Sequence, residues 1–253
     1  MSGRSPDAPV RAPASYQRWD GITFLHWPYP PAVVGALLPP GLVVDVLDGA
    51  AWVGLTPFAM RDVRVPGLPA LPRWSQFLEV NVRTYVRHPA SGTDGLWFLT
   101  LLCPRRAFVA AMRVLGLPYV HAAGAVVRTT GAVEYAAATD RGRRLRVVVE
   151  PGDAVRFPDA WSDAVTGRWN AFTRRAGTLW RVPVEHAPWP LHDAAAPRLR
   201  TDLLEACGLP TPSGAPRVSW SPGVDVRVGA PRPVALVHVP HRRGRAAAVG
   251  PGG

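Results

Sequence analysis

The run Phe77 to Arg87, FLEVNVRTYVR, constrains the fold more than any other stretch of the chain. Successive side chains of an extended segment point to opposite faces. Leu78, Val80, Val82, Thr84 and Val86 therefore form one apolar face, which must pack against a core. The other face carries Phe77, Glu79, Asn81, Arg83, Tyr85 and Arg87. Two arrangements accommodate it. In the first, the strand belongs to an antiparallel sheet with its polar face in water. In the second, the polar face lines the interior of a barrel or cone. There Glu79 becomes a candidate acid or base, and Arg83 an anchor for a carboxylate or a charge partner.

The neighbouring sequence has the same extended character. Residues 50–58, 95–103, 122–129, 132–138, 143–149 and 178–186 read as strands, rich in β-branched and aromatic residues. The 29 prolines and 24 glycines supply the turns that a chain of short β elements needs. Three helices are predicted. Residues 105–115 place Phe108, Ala111, Met112 and Leu115 on one face, between Pro104 and Gly116. Residues 159–173 align Trp161, Val165, Trp169 and Phe172, and residues 197–207 end at Gly208. The expected architecture is α+β and mostly antiparallel, a single domain over residues 16–230. Residues 1–15 and 231–253 are rich in Pro, Gly, Ala and Arg, and are predicted to be disordered tails.

All 29 basic residues are arginine, and lysine is absent. No chemistry that needs a lysine Schiff base is open to this chain. Of the net charge of +11, residues 231–253 hold +4, residues 1–15 hold +1, and +6 lies between them. No nucleic-acid-binding motif accompanies this charge, so it reads as a solvated arginine surface and nucleic acid is not an expected partner. Cys103 and Cys207 are too few and too distant for a disulfide framework or metal knuckle. His238 and His241 lack further ligands, so no metal is expected. No phosphate loop or nucleophile elbow occurs, and no cofactor is implied. The first fifteen residues lack the apolar stretch of a signal peptide, and no apolar run approaches the ~20 residues of a membrane span. A cytoplasmic protein without membrane contact is the expectation.

Several segments in order, FLHWPYPP (24–31), LLPPGLVVDVLDGAAWVGLTPFAMRDVR (37–64), GLPALPRWSQFLEVNVRTYV (67–86), GLPYVHA (116–122), GRWNAFT (167–173), LWRVPVEHAPWPLH (179–192) and SPGVDVRVG (221–229), resemble the YqjF-like family of uncharacterised bacterial proteins. The resemblance implies a fold like that of acetoacetate decarboxylase, a strongly curved antiparallel sheet closing into a cone around a pocket. In that decarboxylase a glutamate on a central strand lies near a lysine that follows a Gly-x-Pro turn. Glu79 resembles the glutamate, and Gly116-Leu117-Pro118 resembles the turn. Tyr119 then stands where the lysine would be and Val120 where its neighbour would be, so the decarboxylase reaction is excluded on chemical grounds. The chain also departs from the family where Leu101-Leu102-Cys103 and Ala136-Ala137-Ala138-Thr139 replace more polar stretches. If those positions line the pocket, it is more apolar here than in the relatives.

Glu79 and Tyr119 are thus the candidate catalytic pair, with Asn81, Arg83, Tyr85, His186 and Arg168 as candidate pocket residues. His186 and His26 each fit either a pocket or a packed core. Arg168 can reach inward or pair with a surface acid. Three function classes remain: a small-molecule binder without catalysis, an enzyme on a carbonyl or carboxylate substrate with Glu79 as acid or base, and a basic nucleic-acid or partner-binding surface.

Overall fold

A computed structural model of the chain describes residues 5–71 and 74–234. The first half runs β1 (Pro13–Tyr29), α1 (Pro31–Gly35), β2 (Val43–Val44), β3 (Val46–Leu47), β4 (Ala50–Arg64), β5 (Phe77–Arg87) and β6 (Asp94–Cys103). Then follow α2 (Arg106–Val114), β7 (Tyr119–Thr129), β8 (Ala132–Thr139), β9 (Arg144–Ala154) and α3 (Ala160–Thr166). The chain continues through β10 (Asn170–Arg175), β11 (Thr178–His186), β12 (His192–Thr201), α4 (Leu203–Ala206), β13 (Arg217–Gly229) and β14 (Arg232–Pro233).

The strands form one continuous sheet in which β6 pairs with β5, β7 and β10, while β13 pairs with β1, β11 and β12. Two circuits of strands therefore close, and they share the wall β13-β1-β4-β5-β6. One circuit returns through β7, β8, β9 and β12, the other through β10 and β11. The sheet is a curved ring system rather than a regular barrel. It is antiparallel except where β6 meets β7 and β10.

The shared wall has an enclosure on each side, and strand alternation sorts its side chains between them. Leu25, Trp27, Val53, Leu55, Val80 and Val82 pack into the first with Tyr135 and Val147. Phe24, Phe58, Leu101 and Cys103 pack into the second with Tyr119, Trp189 and Val226. The polar face of β5 belongs to this second enclosure: Glu79, Asn81, Arg83 and Tyr85 are 0–5% exposed. Of the two arrangements open to the sequence, the interior one is realised.

Two predicted helices are shorter than expected and adjoin strand. The helix expected over 159–173 stops at Thr166, followed by Gly167, after which β10 pairs along its length with β11 and, at Ala171 and Phe172, also with β6. Helical spacing of Trp161, Val165, Trp169 and Phe172 arises because all four turn to the interior, from a helix, a bend and a strand in succession. The helix expected over 197–207 is the end of β12 plus the single turn of α4, closed at Gly208 with φ +87°. The sequence reading also passed over β1 and β13. Residues 21–27 of β1 are buried without interruption because both faces of the shared wall are covered, which erases the alternation that marks a half-exposed strand.

The segment expected to be loose at the start is laid on the domain from Ser5 onward. Val10 is buried and its N–H donates to Glu185 Oε2 at 2.7 Å, while Asp7 accepts from Asn170 Nδ2 at 2.8 Å. At the other end Arg232 and Pro233 pair with β11, and residues 235–253, with His238 and His241, lie outside the described residues. No helix among the described residues is long and apolar enough to cross a membrane.

Candidate functional site: a buried polar row

The row Glu79-Asn81-Arg83-Tyr85 is set by register. Phe58 stands opposite Glu79, Thr56 opposite Asn81 and Gly54 opposite Arg83 on β4. On the other side Leu101 faces Asn81 and Leu96 faces Tyr85. A polar strip is thereby framed by apolar and aromatic side chains and removed from water.

Tyr119 reaches this strip from the first position of β7, aligned with Leu101. The turn that delivers it requires glycine. Gly116 has φ +82°, and a Cβ there would run into the Arg174 carbonyl oxygen and the Thr173 hydroxyl. Arg113 Nε then donates to the Tyr119 carbonyl at 2.6 Å, and the Tyr119 hydroxyl donates to Glu79 Oε2 at 2.8 Å. Gly116→Ala is accordingly expected to destabilise the protein by about 2 kcal/mol or more, combining left-handed backbone strain with a clash against main chain. Chemical denaturation of the two proteins measures it.

Burial dominates the electrostatics. It pushes the Glu79 carboxyl up to about 7, against the downward pull of the Tyr119 hydrogen bond. Burial, and then the Glu79 charge, push Tyr119 well above the usual phenol range. The pair is therefore a carboxyl that exchanges its proton near neutral pH, bonded to a phenol that keeps its own. Cys103 packs in the same enclosure, its thiol pushed up to about 12 by burial. A thiol held in that form is a spacer rather than a nucleophile.

The middle of the row holds polar atoms without partners. Among the described residues Asn81 Oδ1, Thr56 Oγ1 and Arg83 Nε make no hydrogen bond. Arg83 is 5% exposed and faces no carboxylate within ion-pair distance among the described residues. Its guanidinium lies 5.4 Å from the centroid of the Phe24 ring and beside Tyr85, whose hydroxyl is 2.5 Å from His26 Nε2. Gly54 makes room for that last pair: a Cβ there would sit 3.1 Å from His26 Nε2 and 3.2 Å from the Tyr85 hydroxyl. Burial, followed by the Arg83 and Arg217 charges, pushes His26 well below its ordinary range. Among the described residues no carboxylate balances Arg83 from this side.

His186 forms the end wall. Its ring lies 4.3 Å from Trp169 and 4.6 Å from Trp189, and its Nδ1 is 2.7 Å from the Ala187 carbonyl. Burial lowers it to about 4, with Arg83 acting in the same direction against the Ala187 hydrogen bond. Outside Trp169 and Trp189 a cleft of about 210 Å³ opens to the surface between Val155, Pro188 and Leu191.

Arg168 is committed elsewhere. It pairs with Asp45 at 2.6 Å and Asp94 at 3.0 Å, and its guanidinium lies 5.3 Å from the Tyr85 ring centroid. It fixes the back of Tyr85 instead of presenting charge to the row. The apolar departures from the family pattern divide: Leu102 and Ala137 are in the first enclosure and Ala136 sits beside Arg146 on the outer surface of β8, whereas Leu101 and Cys103 pack into the second. Only Leu101 and Cys103 add apolar surface near Glu79. Thr56, His26 and the tryptophan wall complete the site, and no local motif marks them; only the β4–β5 register brings Thr56 to Asn81.

A sequence model of the family DUF2071, described as an uncharacterized conserved protein, matches residues 16–225. The chain belongs to this family. A DUF2071 relative of known sequence, the uncharacterized protein YqjF of Bacillus subtilis (strain 168), is 28% identical over 215 residues, 83% of this chain and 88% of its own. Among solved structures, an acetoacetate decarboxylase-like enzyme from Sphingomonas wittichii RW1 superposes with a TM-score of 0.63 at 16% identity, covering 92% of this chain and 100% of its own. Acetoacetate decarboxylase from Legionella pneumophila gives 0.63 at 16% identity, over 93% and 96%. The enduracididine biosynthesis enzyme MppR complexed with pyruvate gives 0.61 at 13% identity, over 92% and 98%. At these identities the likeness establishes the fold of this DUF2071 member, which is that of the acetoacetate decarboxylases.

Proposed function

We propose that the second enclosure binds a small organic acid, whose carboxylate pairs with Arg83 and whose other end reaches the Glu79–Tyr119 pair. The observation that carries this reading is the buried guanidinium without a carboxylate partner among the described residues. A charge taken out of water is costly unless it is paired, and the fork of an arginine matches a carboxylate. Asn81 Oδ1 and Thr56 Oγ1 supply further unmade hydrogen bonds between the two ends. Glu79 and Arg83 lie four residues apart on one strand, about 13 Å of backbone, which suits a molecule of several carbons better than acetate. The bound pyruvate of the structural neighbour MppR, a small carboxylate held by the same fold, agrees in ligand class.

A catalytic version is favoured by one specific observation. Glu79, with its carboxyl near 7 and bonded to a phenol that stays protonated, has the properties of a group that takes or returns a proton at a carbon or oxygen of the ligand. Without lysine, such a step proceeds with no imine. A panel of oxo, hydroxy and plain carboxylates of two to eight carbons, screened by thermal shift, tests the reading. At least one acid is expected to raise Tm of the parent protein and not of Arg83→Met. If uncharged amides of the same skeletons stabilise equally, the carboxylate assignment is wrong.

A further inference from the structure

The charge that the sequence spreads over the whole chain is grouped by the β9–β12 ladder. On the exposed face of these two antiparallel strands Arg146 stands directly opposite Arg200, and Val148 opposite Arg198. Residues opposite one another have Cβ atoms about 5 Å apart and diagonal neighbours about 7–8 Å apart, so Arg144, Arg146, Arg198 and Arg200 crowd together. Like charges directly opposite destabilise a sheet. Only Arg146 is relieved, by Glu134 at 2.7 Å, whereas Arg144, Arg198 and Arg200 have no acidic side-chain partner among the described residues. The four arginines line a shallow groove of about 880 Å³ with Val148, Leu199 and Thr201; its one carboxylate, Asp202 at the end of the groove, accepts from the Arg144 backbone N–H and lies 4.0 Å from Arg143. Beside it on β8 lie Ala136 and Ala138, opposite Arg146 and Arg144, too small to obstruct a ligand lying across the strands. At the β8–β9 turn the groove adjoins a second cleft of about 680 Å³, where Arg106, Arg113, Arg141 and Arg143 face a single carboxylate, Asp140.

We propose that this face binds the phosphate backbone of nucleic acid without reading its sequence. A row of close guanidinium groups, three of the four without an acidic side-chain partner among the described residues, is the complement of a line of phosphates. No aromatic side chain lines the groove, so it offers no platform for stacking bases, and backbone contacts alone carry no sequence preference. The apolar lining of the groove is limited to Val148, Pro197 and Leu199, with no aromatic side chain to insert, which favours nucleic acid over a lipid surface.

The test uses the full chain and mixed-sequence 20-base-pair duplex DNA, with the dissociation constant followed from 50 to 200 mM salt. Four phosphate contacts give a log–log slope near −4 and a loss of roughly 100-fold over that range. Arg198→Gln/Arg200→Gln is expected to lower the slope by about 2. Its Tm at low salt should equal or exceed that of the parent, because a like-charge contact is relieved. A second duplex of different sequence should bind within about twofold, since only phosphates are contacted. The proposal is overturned by absence of binding at 50 mM salt, or by an unchanged slope in the double variant. It also fails if Arg242→Gln/Arg243→Gln/Arg245→Gln alone removes the binding, or if phosphatidylserine vesicles bind through Arg198 and Arg200 while duplex does not. A marked fall in Tm of the double variant would make these arginines structural and would overturn it too.

Discussion

Arg83→Met is expected to abolish carboxylate binding in the second enclosure while leaving the ligand-free protein as stable as the parent, or more stable. The two halves of this result follow from one fact, the burial of a guanidinium with no carboxylate partner among the described residues. In the complex, a charge-paired, buried hydrogen bond is lost, and the ligand carboxylate is left without a partner; such losses run to about 3–5 kcal/mol, a factor of roughly one hundred to several thousand in Kd. In the free protein, an apolar side chain of similar length replaces a desolvated cation. Exchanges of that kind are neutral or stabilising by about 1–4 kcal/mol. The contact with the Phe24 ring offsets part of the gain, at about 1–2 kcal/mol. An arginine that merely held the fold would behave in the opposite way, with Arg83→Met lowering stability by several kcal/mol. Urea denaturation without ligand, beside calorimetric titration with the best acid of the panel, reads both halves.

Glu79→Gln is expected to change the pH dependence of stability more than stability at any one acidic pH. The folded Glu79 carboxyl titrates at about 7 and the unfolded one near 4.5. Below 4.5 both states hold the proton, and the group contributes nothing that varies. Between 4.5 and 7 the unfolded state gives up its proton while the folded state keeps it, so stability falls as pH rises. Above 7 both are ionised and the loss is complete, on the order of 3 kcal/mol at 1.36 kcal/mol per unit. His186, lowered to about 4, works in the opposite sense: its unfolded form binds a proton between 4 and 6.5, so its contribution rises with pH in that range. The measurement is therefore the difference between parent and Glu79→Gln, taken from pH 4 to 8. The variant should gain on the parent steadily from 4.5 to 7 and hold a constant lead above it. A constant difference across the whole range would place the Glu79 carboxyl at its ordinary value. An organic anion held at Arg83 adds negative charge to the same water-poor enclosure four residues along β5 from Glu79, so the acid should bind modestly more tightly at pH 6 than at pH 8 in the parent, and equally in the variant.

The site was partly legible because β5 keeps a strict alternation, and because an arginine and a glutamate on one face of a strand are either solvated or functional. Gly116 and Tyr119 were legible through the likeness of their turn to one that presents a lysine. What remained hidden depended on register and on burial from two sides. β1 carries His26 and Phe24 into the site, yet both of its faces are covered, so its sequence shows no period of two. Trp161 and Val165 lie on a true helix, whereas Trp169 and Phe172 extend its spacing only because they too are buried after the chain has left the helix. Arg168 looked like a pocket residue, but its partners Asp45 and Asp94 are 123 and 74 positions distant along the chain, and only the fold joins them. The arginine ladder is the same case on the surface: net charge is plain from composition, whereas the facing of Arg146 and Arg200 is a fact of strand pairing.

The most direct test of the central claim is a crystal structure of the parent protein with the most stabilising carboxylate from the panel. The acid is expected in the second enclosure, its carboxylate within about 3 Å of the Arg83 guanidinium and its far end near Glu79 and Tyr119, satisfying Asn81 or Thr56 on the way. An acid bound outside the enclosure, or one seated in it with Arg83 turned to a carboxylate of the protein, would contradict the account.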